Sequence, residues 1–352
     1  MKRYGGLYEK ICDLDNLRIA HQNARKGKGW YTEVRMVDAD EEHYLKMLQE
    51  MLITKTYKTS EYETFLKHDG SKQREIYKLP YFPDRICQWA IMQVIEPMLI
   101  NNFTKDTYSA IPGRGIHLVK KRLTAAIQND VQGTQYTLKL DVKKYYPSIN
   151  HDVLKAKYRR LFKDDELIWL LDEIIDSTPD GSGIPIGNYL SQYSGNFYLS
   201  AFDHWIKEVK RVKYYFRYMD DIVILGNTKE ELHQIKQEID EYFITKLKLT
   251  IKGNWQVFPT FIRGIDYVGY RIFLDYSLLR KSTCKNFKRK MQYIKKKCLE
   301  GKEMTHSEWC SINSYKGWLL WCDSYRLNDK YITPIQSFAD DYYKNKIKRK
   351  VT

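Results

Sequence analysis

Residues 214–225, Tyr-Tyr-Phe-Arg-Tyr-Met-Asp-Asp-Ile-Val-Ile-Leu, constrain the fold more than any other stretch, because two β-prone runs are joined by adjacent acidic residues. They read as a strand, a tight turn and a strand, with Asp220 and Asp221 at the hairpin tip. Two-residue hairpin turns favour Asn-Gly or Asp-Gly, since both central positions take positive φ. Asp-Asp is a poor turn, and neighbouring carboxylates repel, driving one toward protonation unless a cation lies between them. A bound metal is the economical explanation. Oxygen-only ligands with room for phosphate favour Mg²⁺, and they call for a third carboxylate elsewhere.

Residues 136–150, Tyr-Thr-Leu-Lys-Leu-Asp-Val-Lys-Lys-Tyr-Tyr-Pro-Ser-Ile-Asn, supply it. Leu138 and Leu140 alternate with Thr137 and Lys139, which predicts a half-buried strand delivering Asp141 at its C-terminal end, closed by Pro147. Asn150 is the better N-cap for the following helix, so capping does not account for Asp141. With Asp220, Asp141 would hold two cations roughly 3.5–4 Å apart, as in metal-assisted phosphoryl transfer.

Composition agrees with a polyanionic substrate. The 352 residues, 43% hydrophobic, suffice for two or three subdomains sharing a buried sheet. Net charge is +15, from 59 Lys+Arg against 44 Asp+Glu, which points to nucleic acid. No apolar run approaches the length of a spanning helix and the N-terminus lacks a signal-peptide core, so a cytoplasmic protein with no membrane partner is expected. Six scattered cysteines form no C-x₂-C pair and are expected to be reduced. The late group Cys298, His306, Cys310 and Cys322 has metal-capable types at no standard zinc spacing, and reads as buried thiols. The 29 tyrosines suit base stacking and core packing equally.

Along the rest of the chain, residues 24–30 are a basic, glycine-containing loop, and residues 40–52 repeat apolar side chains at helical spacing. Residues 69–80 form a polar turn and short strand carrying Lys72 and Arg74, cations able to close over a triphosphate; Asp84 follows as an expected N-cap. Residues 106–117 are a glycine-rich turn opening a helix, where Arg114 and His117 could meet a phosphate. Residues 151–180 are helical and end in a loop over 177–187. A helix is expected over 188–207, with Leu190, Ser194, Phe197, Tyr198, Ala201 and Trp205 on one face. Thr228 should cap the next helix, residues 247–252 should form a strand and residues 264–273 a hairpin. From Arg280 onward the sequence is helical and strongly basic, a face suited to a duplex backbone.

This order of parts resembles a reverse transcriptase from end to end, over roughly residues 20–345. The Tyr218-Met219-Asp220-Asp221 tetrapeptide, with Asp141 in Asp-Val-Lys-Lys-Tyr-Tyr, is specific. More narrowly, the chain looks like the reverse transcriptase of a diversity-generating retroelement. Where bacterial intron enzymes usually read Gln-Gly-x-x-x-Ser-Pro, it has Ile186-Gly187-Asn-Tyr-Leu-Ser191-Gln192, and residues 106–109 and 314–318 also look like that group. The resemblance implies an α+β right-hand polymerase: a basic N-terminal segment (1–40), fingers (41–131 and 151–180), palm (132–150 and 181–274) and a helical thumb (275–352). It implies that Asp141, Asp220 and Asp221, helped by the Val142 carbonyl, hold two Mg²⁺, with Mn²⁺ as a substitute. It further implies that Lys72, Arg74 and the Lys144 and Tyr145 amides hold the dNTP triphosphate, and that Tyr146 lies under the sugar and rejects a 2′-hydroxyl. Ile186, Gly187 and Gln192 complete the dNTP site; Arg114, His117, Tyr218, Met219, Gly269 and Tyr270 line the path of template and primer.

Ile186 stands where related enzymes carry a glutamine that hydrogen-bonds near the incoming nucleotide. Losing that amide removes a geometry check worth about 1–2 kcal/mol, so lower fidelity is expected. The resemblance adds adenine-selective misincorporation during copying of a template RNA, which can prime its own cDNA, and a small basic accessory protein that assembles as a ring. No segment resembles an RNase H, endonuclease or intron-type extension. Two alternatives stay open: an intron maturase-like or phage-defence reverse transcriptase, and a catalytically silent RNA-binding relative.

Overall fold

The computed structural model describes residues 3–69, 72–178 and 181–348. The chain divides into two compact units, one of Met1–Gly115, Lys139–Ile224 and His233–Gln256, the other of Ile116–Leu138, Leu225–Leu232 and Val257–Thr352. Nine strands lie among the described residues: β1 (Glu63–Asp69), β2 (Lys72–Lys78), β3 (Tyr136–Asp141), β4 (Tyr214–Tyr218), β5 (Asp221–Gly226), β6 (Gln256–Pro259), β7 (Ile265–Tyr267), β8 (Tyr270–Ile272) and β9 (Ser277–Leu279). No helix among them is long and apolar enough to cross a membrane.

In the first unit, the helix expected over 40–52 is Glu41–Ile53, which buries Leu45, Leu48 and Leu52 and packs on the helix Leu14–Ala24. Strands β1 and β2 pair antiparallel, Phe65 opposite Ile76, and the turn between them lies outside the described residues. Asp84 does not cap the next helix. It is fully buried and accepts the Tyr57 hydroxyl (2.8 Å) and the Ser60 N–H (3.1 Å), while the helix Ile86–Asn102 starts with no side-chain cap. Asn150 behaves as expected, its side chain accepting Val153 N–H at 3.1 Å, and residues 151–180 hold two helices, His151–Leu161 and Asp165–Asp176.

The helix Tyr189–His204 is buried on nearly every side, so its expected single apolar face is incomplete: Asn196, Ser200 and Asp203 are also inside, whereas Ala201 is exposed. Its serines tolerate burial by bonding within the helix, Ser194 Oγ to the Leu190 carbonyl (2.9 Å) and Ser200 Oγ to the Phe197 carbonyl (2.8 Å). Residues 247–252 are not a strand. Leu247, Leu249 and Ile251 are buried in alternation, but Lys248 takes φ +51°, which breaks the ladder and leaves a single bridge, Ile251 to Val142.

In the second unit, Thr137 of β3 is fully buried against the Thr260 hydroxyl (2.8 Å), so the expected alternation fails at that position because both faces are covered. The hairpin expected over 264–273 is β7–β8, extended by β9. Its turn places Gly269 at φ +88°, where an added Cβ would lie 2.3 Å from Trp318 Cζ3. The first helix of the stretch expected to be basic, Lys281–Leu299, is so; the second, His306–Leu319, opened by a capping box of Thr305 and Glu308, carries only Lys316 against Glu308 and is not. The first buries Phe287, Met291 and Ile294 and exposes Lys285, Arg289, Lys295 and Lys296. All six cysteines are free thiols, but of the late group only Cys298 is buried as expected: Cys322 is half-buried, and Cys310, 3.5 Å from His306, is exposed on its helix.

Candidate active site

Strands β4, β5 and β3 lie side by side in that order, and the β4–β5 turn meets the end of β3 where Asp141 stands. The turn differs from expectation. Its two connecting residues are Met219 and Asp220, whereas Asp221 opens β5. Met219 takes φ +57°, a conformation that costs a non-glycine residue roughly 1–2 kcal/mol and persists only where the surroundings over-determine it. The Thr228 cap beyond β5 forms as expected, its Oγ accepting Glu231 N–H at 3.2 Å.

Asp141 and Asp220 are the carboxylates brought together. Burial first, then repulsion from the Asp141 carboxylate and its capacity to accept a proton from Asp220, push the Asp220 carboxyl up to about 7. Asp141 Oδ2 accepts from the Lys252 ammonium, while its buried Oδ1 has no fixed hydrogen-bond partner. A proton shared with Asp220, or a cation between the two, would satisfy that oxygen. Asp221 instead faces Lys139, with Nζ 3.7 Å from its Oδ2. Among the described residues no three metal-capable side chains converge as they stand. The donor set is nonetheless all oxygen, partly buried and charge-deficient, which fits a hard divalent cation that displaces the two ammonium groups.

The residues expected at the nucleotide gather in the same unit. Val142 is buried at the bridge to Ile251, and Lys143 N–H donates to the Thr250 carbonyl at 2.8 Å. Lys144 takes φ +45°, and Tyr145, buried, donates its hydroxyl to the Gly195 carbonyl. Tyr146 is half-buried, its hydroxyl 3.7 Å from Met219 Sδ, and its carbonyl accepts Ile184 N–H at 3.0 Å. This link carries residues 184–187 past it: the Ile186 carbonyl accepts Tyr77 N–H at 3.3 Å, and Gly187, at φ +118°, lets its backbone lie against Ile76 and Tyr77 of β2. Gln192 is exposed on its helix. Lys72 and Arg74 have their backbones in β2, but their side chains lie outside the described residues.

Of the residues expected along template and primer, Arg114 donates through Nη1 to the Thr104 and Thr107 carbonyls (2.6 and 2.8 Å), bracing its own loop. Tyr218 is half-buried at the end of β4. His117, Gly269 and Tyr270 belong to the other unit. There His117 stacks on Trp321 (centroids 4.4 Å apart), burial and then Lys120 lowering its pKa, and the Tyr270 hydroxyl donates to the Trp318 carbonyl at 3.1 Å. Sequence reasoning missed Lys139, Lys252 and the fully buried Arg217. Lys139 shares a strand face with Asp141 two residues on and was open to discovery by periodicity; the other two depend on tertiary contacts.

The family described as reverse transcriptase (RNA-dependent DNA polymerase) matches residues 65–272, more than half of the chain. Protein YkfC of Escherichia coli K12 is 23% identical over 238 residues, covering 55% of this chain and 62% of that protein. The group II intron-encoded protein LtrA of Lactococcus lactis is 20% identical, covering 84% of this chain and 60% of its own length. The chain thus spans about 60% of the length of these two relatives. Telomerase from Candida albicans, solved with a fragment of telomeric RNA, shares the fold at a TM-score of 0.50 and 11% identity, over 84% of this chain and 64% of that one. The fold is that of a right-hand polymerase, α+β as expected.

Proposed function

The chain belongs to the reverse transcriptase family, and on that premise we propose that it is an RNA-directed DNA polymerase, copying a template RNA into cDNA from dNTPs. The observation that carries this reading is the approach of Asp141, at the end of β3, and Asp220, in the β4–β5 turn, with a buried carboxylate oxygen left to be satisfied. Asp141, Asp220 and Asp221, with the Val142 carbonyl, would hold two Mg²⁺, or Mn²⁺ in their place. Bound there, the ions would supply charge stabilisation for the primer hydroxyl and the triphosphate. The chain supplies the positioning: Lys72, Arg74 and the Lys144 and Tyr145 amides on the triphosphate, Tyr146 under the sugar, Ile186, Gly187 and Gln192 beside the nucleotide. Arg114, His117, Tyr218, Met219, Gly269 and Tyr270 serve template and primer, with fingers, palm and thumb divided as the resemblance implies. Primer extension on an RNA template with dNTPs and Mg²⁺ tests this. Product that disappears in Asp220→Asn is expected; RNA binding without incorporation by the parent would leave a non-catalytic RNA-binding protein.

The finer reading is a diversity-generating enzyme, error-prone at template adenines, acting with a self-priming template RNA and a small basic ring-forming accessory protein. Its support is the aliphatic side chain of Ile186, which offers no amide to check the incoming nucleotide. Sequenced cDNA from Ile186→Gln should show fewer errors at template adenines; parental error rates would remove the idea. Similarity to LtrA over 84% of the chain favours an intron-type reverse transcriptase as the second reading. Neighbouring DNA separates the two: a near-duplicate pair of repeats differing at adenines supports the first, intron boundaries the second.

A further inference from the structure

Arg217 and Asp203 are both fully buried. As a stabilising device such a pair is poor, because well-packed apolar residues of similar volume do as well or better. What the guanidinium touches suggests another reason for it. Nε donates to Asp203 Oδ1 at 2.7 Å and Nη2 donates to Asp203 Oδ2, while Nη1 donates to Asn196 Oδ1 at 3.1 Å and to the Met219 carbonyl at 2.9 Å. Nη2 also reaches Thr107 Oγ1 at 3.3 Å, so all five N–H donors are directed. Asp203 is itself held, accepting the Tyr215 hydroxyl at 2.6 Å and the Thr107 hydroxyl at 2.9 Å.

The backbone reinforces this frame. Arg217 N–H donates to the Asp106 carbonyl (3.0 Å), Tyr108 N–H donates to the Arg217 carbonyl (3.1 Å), and Asn196 Nδ2 donates to the Ser109 carbonyl (2.7 Å). Strand β4, the loop over 104–109 and the helix Tyr189–His204 therefore converge, through one planar cation, on one carbonyl of the catalytic turn. That carbonyl belongs to the strained residue Met219, and its peptide carries the nitrogen of Asp220. Rotating this peptide would change the backbone of Asp220 and swing its carboxylate away from Asp141.

We propose that Arg217, anchored by Asp203, is a positioning residue that fixes the Met219–Asp220 peptide and so sets the Asp220 carboxylate against Asp141. The proposal rests on the polymerase reading above. An ammonium has three donors and no planar fork, so Arg217→Lys keeps a cation beside Asp203 without bridging to Met219. Tyr57→Phe serves as the control, since it removes a buried bond to Asp84 without touching the turn. The readouts are the melting midpoint, kcat, KM for dNTP and the Mg²⁺ concentration for half-maximal RNA-templated extension.

Arg217→Lys should lower kcat by roughly 10–100-fold, the scale of a misplacement near 1 Å. It should raise the Mg²⁺ requirement and leave KM for dNTP within about twofold, the pattern of a misplaced metal ligand with nucleotide contacts intact. Tyr57→Phe should lower the midpoint with kcat and Mg²⁺ dependence unchanged. A folded Arg217→Lys protein with parental kcat and Mg²⁺ dependence overturns the proposal, as does a control that shifts both equally. If Arg217→Lys fails to fold, Asn196→Ala, which keeps the ion pair and the Met219 bond but removes the second acceptor that orients Nη1, must raise the Mg²⁺ requirement and lower kcat in the same direction by a smaller factor, and parental values there also overturn it. A parent that never extends a primer refutes the polymerase reading; an active parent with an insensitive Arg217→Lys refutes the positioning role alone.

Discussion

Lys252 holds Asp141 at two points: its backbone N–H donates to the Asp141 carbonyl at 2.9 Å, and its ammonium donates to Asp141 Oδ2. The segment 247–252, freed from the sheet by the left-handed Lys248, thus ends by delivering a cation to a carboxylate that a metal ion would use. Ammonium and metal compete for one oxygen. Both side chains are 31% exposed, which limits the pair to roughly 0–1 kcal/mol. Lys252→Met should therefore lower the Mg²⁺ midpoint in a thermal-shift titration by about two- to fivefold. An unchanged or higher midpoint would contradict the competition.

Lys157 offers a pH-dependent test away from the metal site. Its ammonium lies 5.9 Å from the Tyr198 ring centroid, and burial, then Arg160, pull its pKa from 10.5 to about 8. Between those values the unfolded chain binds a proton that the folded chain does not, so this group makes stability rise with pH across that window. Urea midpoints measured from pH 8 to pH 10 should climb more steeply for the parent than for Lys157→Met. Parallel curves would rule this out.

Gly269 is required by space as well as by conformation, with φ +88° and the Trp318 ring 2.3 Å from where a Cβ would stand. Gly269→Ala should destabilise by roughly 2–4 kcal/mol, read as a drop in denaturant midpoint. A loss below about 0.5 kcal/mol, the range of ordinary surface substitutions, would refute the steric account.

Tyr146, its hydroxyl 3.7 Å from Met219 Sδ, is the residue proposed to exclude the 2′-hydroxyl. Tyr146→Ala should improve ribonucleotide use relative to deoxynucleotide use by about tenfold or more. The ratio of kcat/KM for the two substrates decides; an unaltered ratio would make Tyr146 a packing residue.

Local signals in the sequence carried much of the site. Strand β3 ending at Asp141, the acidic hairpin, the Asn150 cap and the helix after Thr228 each depend on residue type and spacing over a few positions. Where the reading failed, a distant partner had decided the outcome. Asp84 looks like a cap until Tyr57 and Ser60 are seen to bury it. The apolar alternation over 247–251 is real in burial, but nothing in the sequence marks Lys248 for the left-handed region. Met219 is likewise an improbable residue for positive φ; its turn lies one residue before the Asp-Asp tip, and its carbonyl accepts from Arg217. In the sequence Arg217 was an ordinary strand cation; its role comes from Asp203 and Asn196, 14 and 21 residues away.

On the proposed reading, Asp141 and Asp220 are held together, at a cost in stability, to bind metal for RNA-templated DNA synthesis. The most direct measurement pairs primer extension with metal-free melting at pH 8 for Asp220→Asn. Removing one of two repelling, buried charges should leave the melting midpoint at or above the parent's while extension falls by about a thousandfold or more. Extension at the parental rate by a well-folded Asp220→Asn protein would contradict the account.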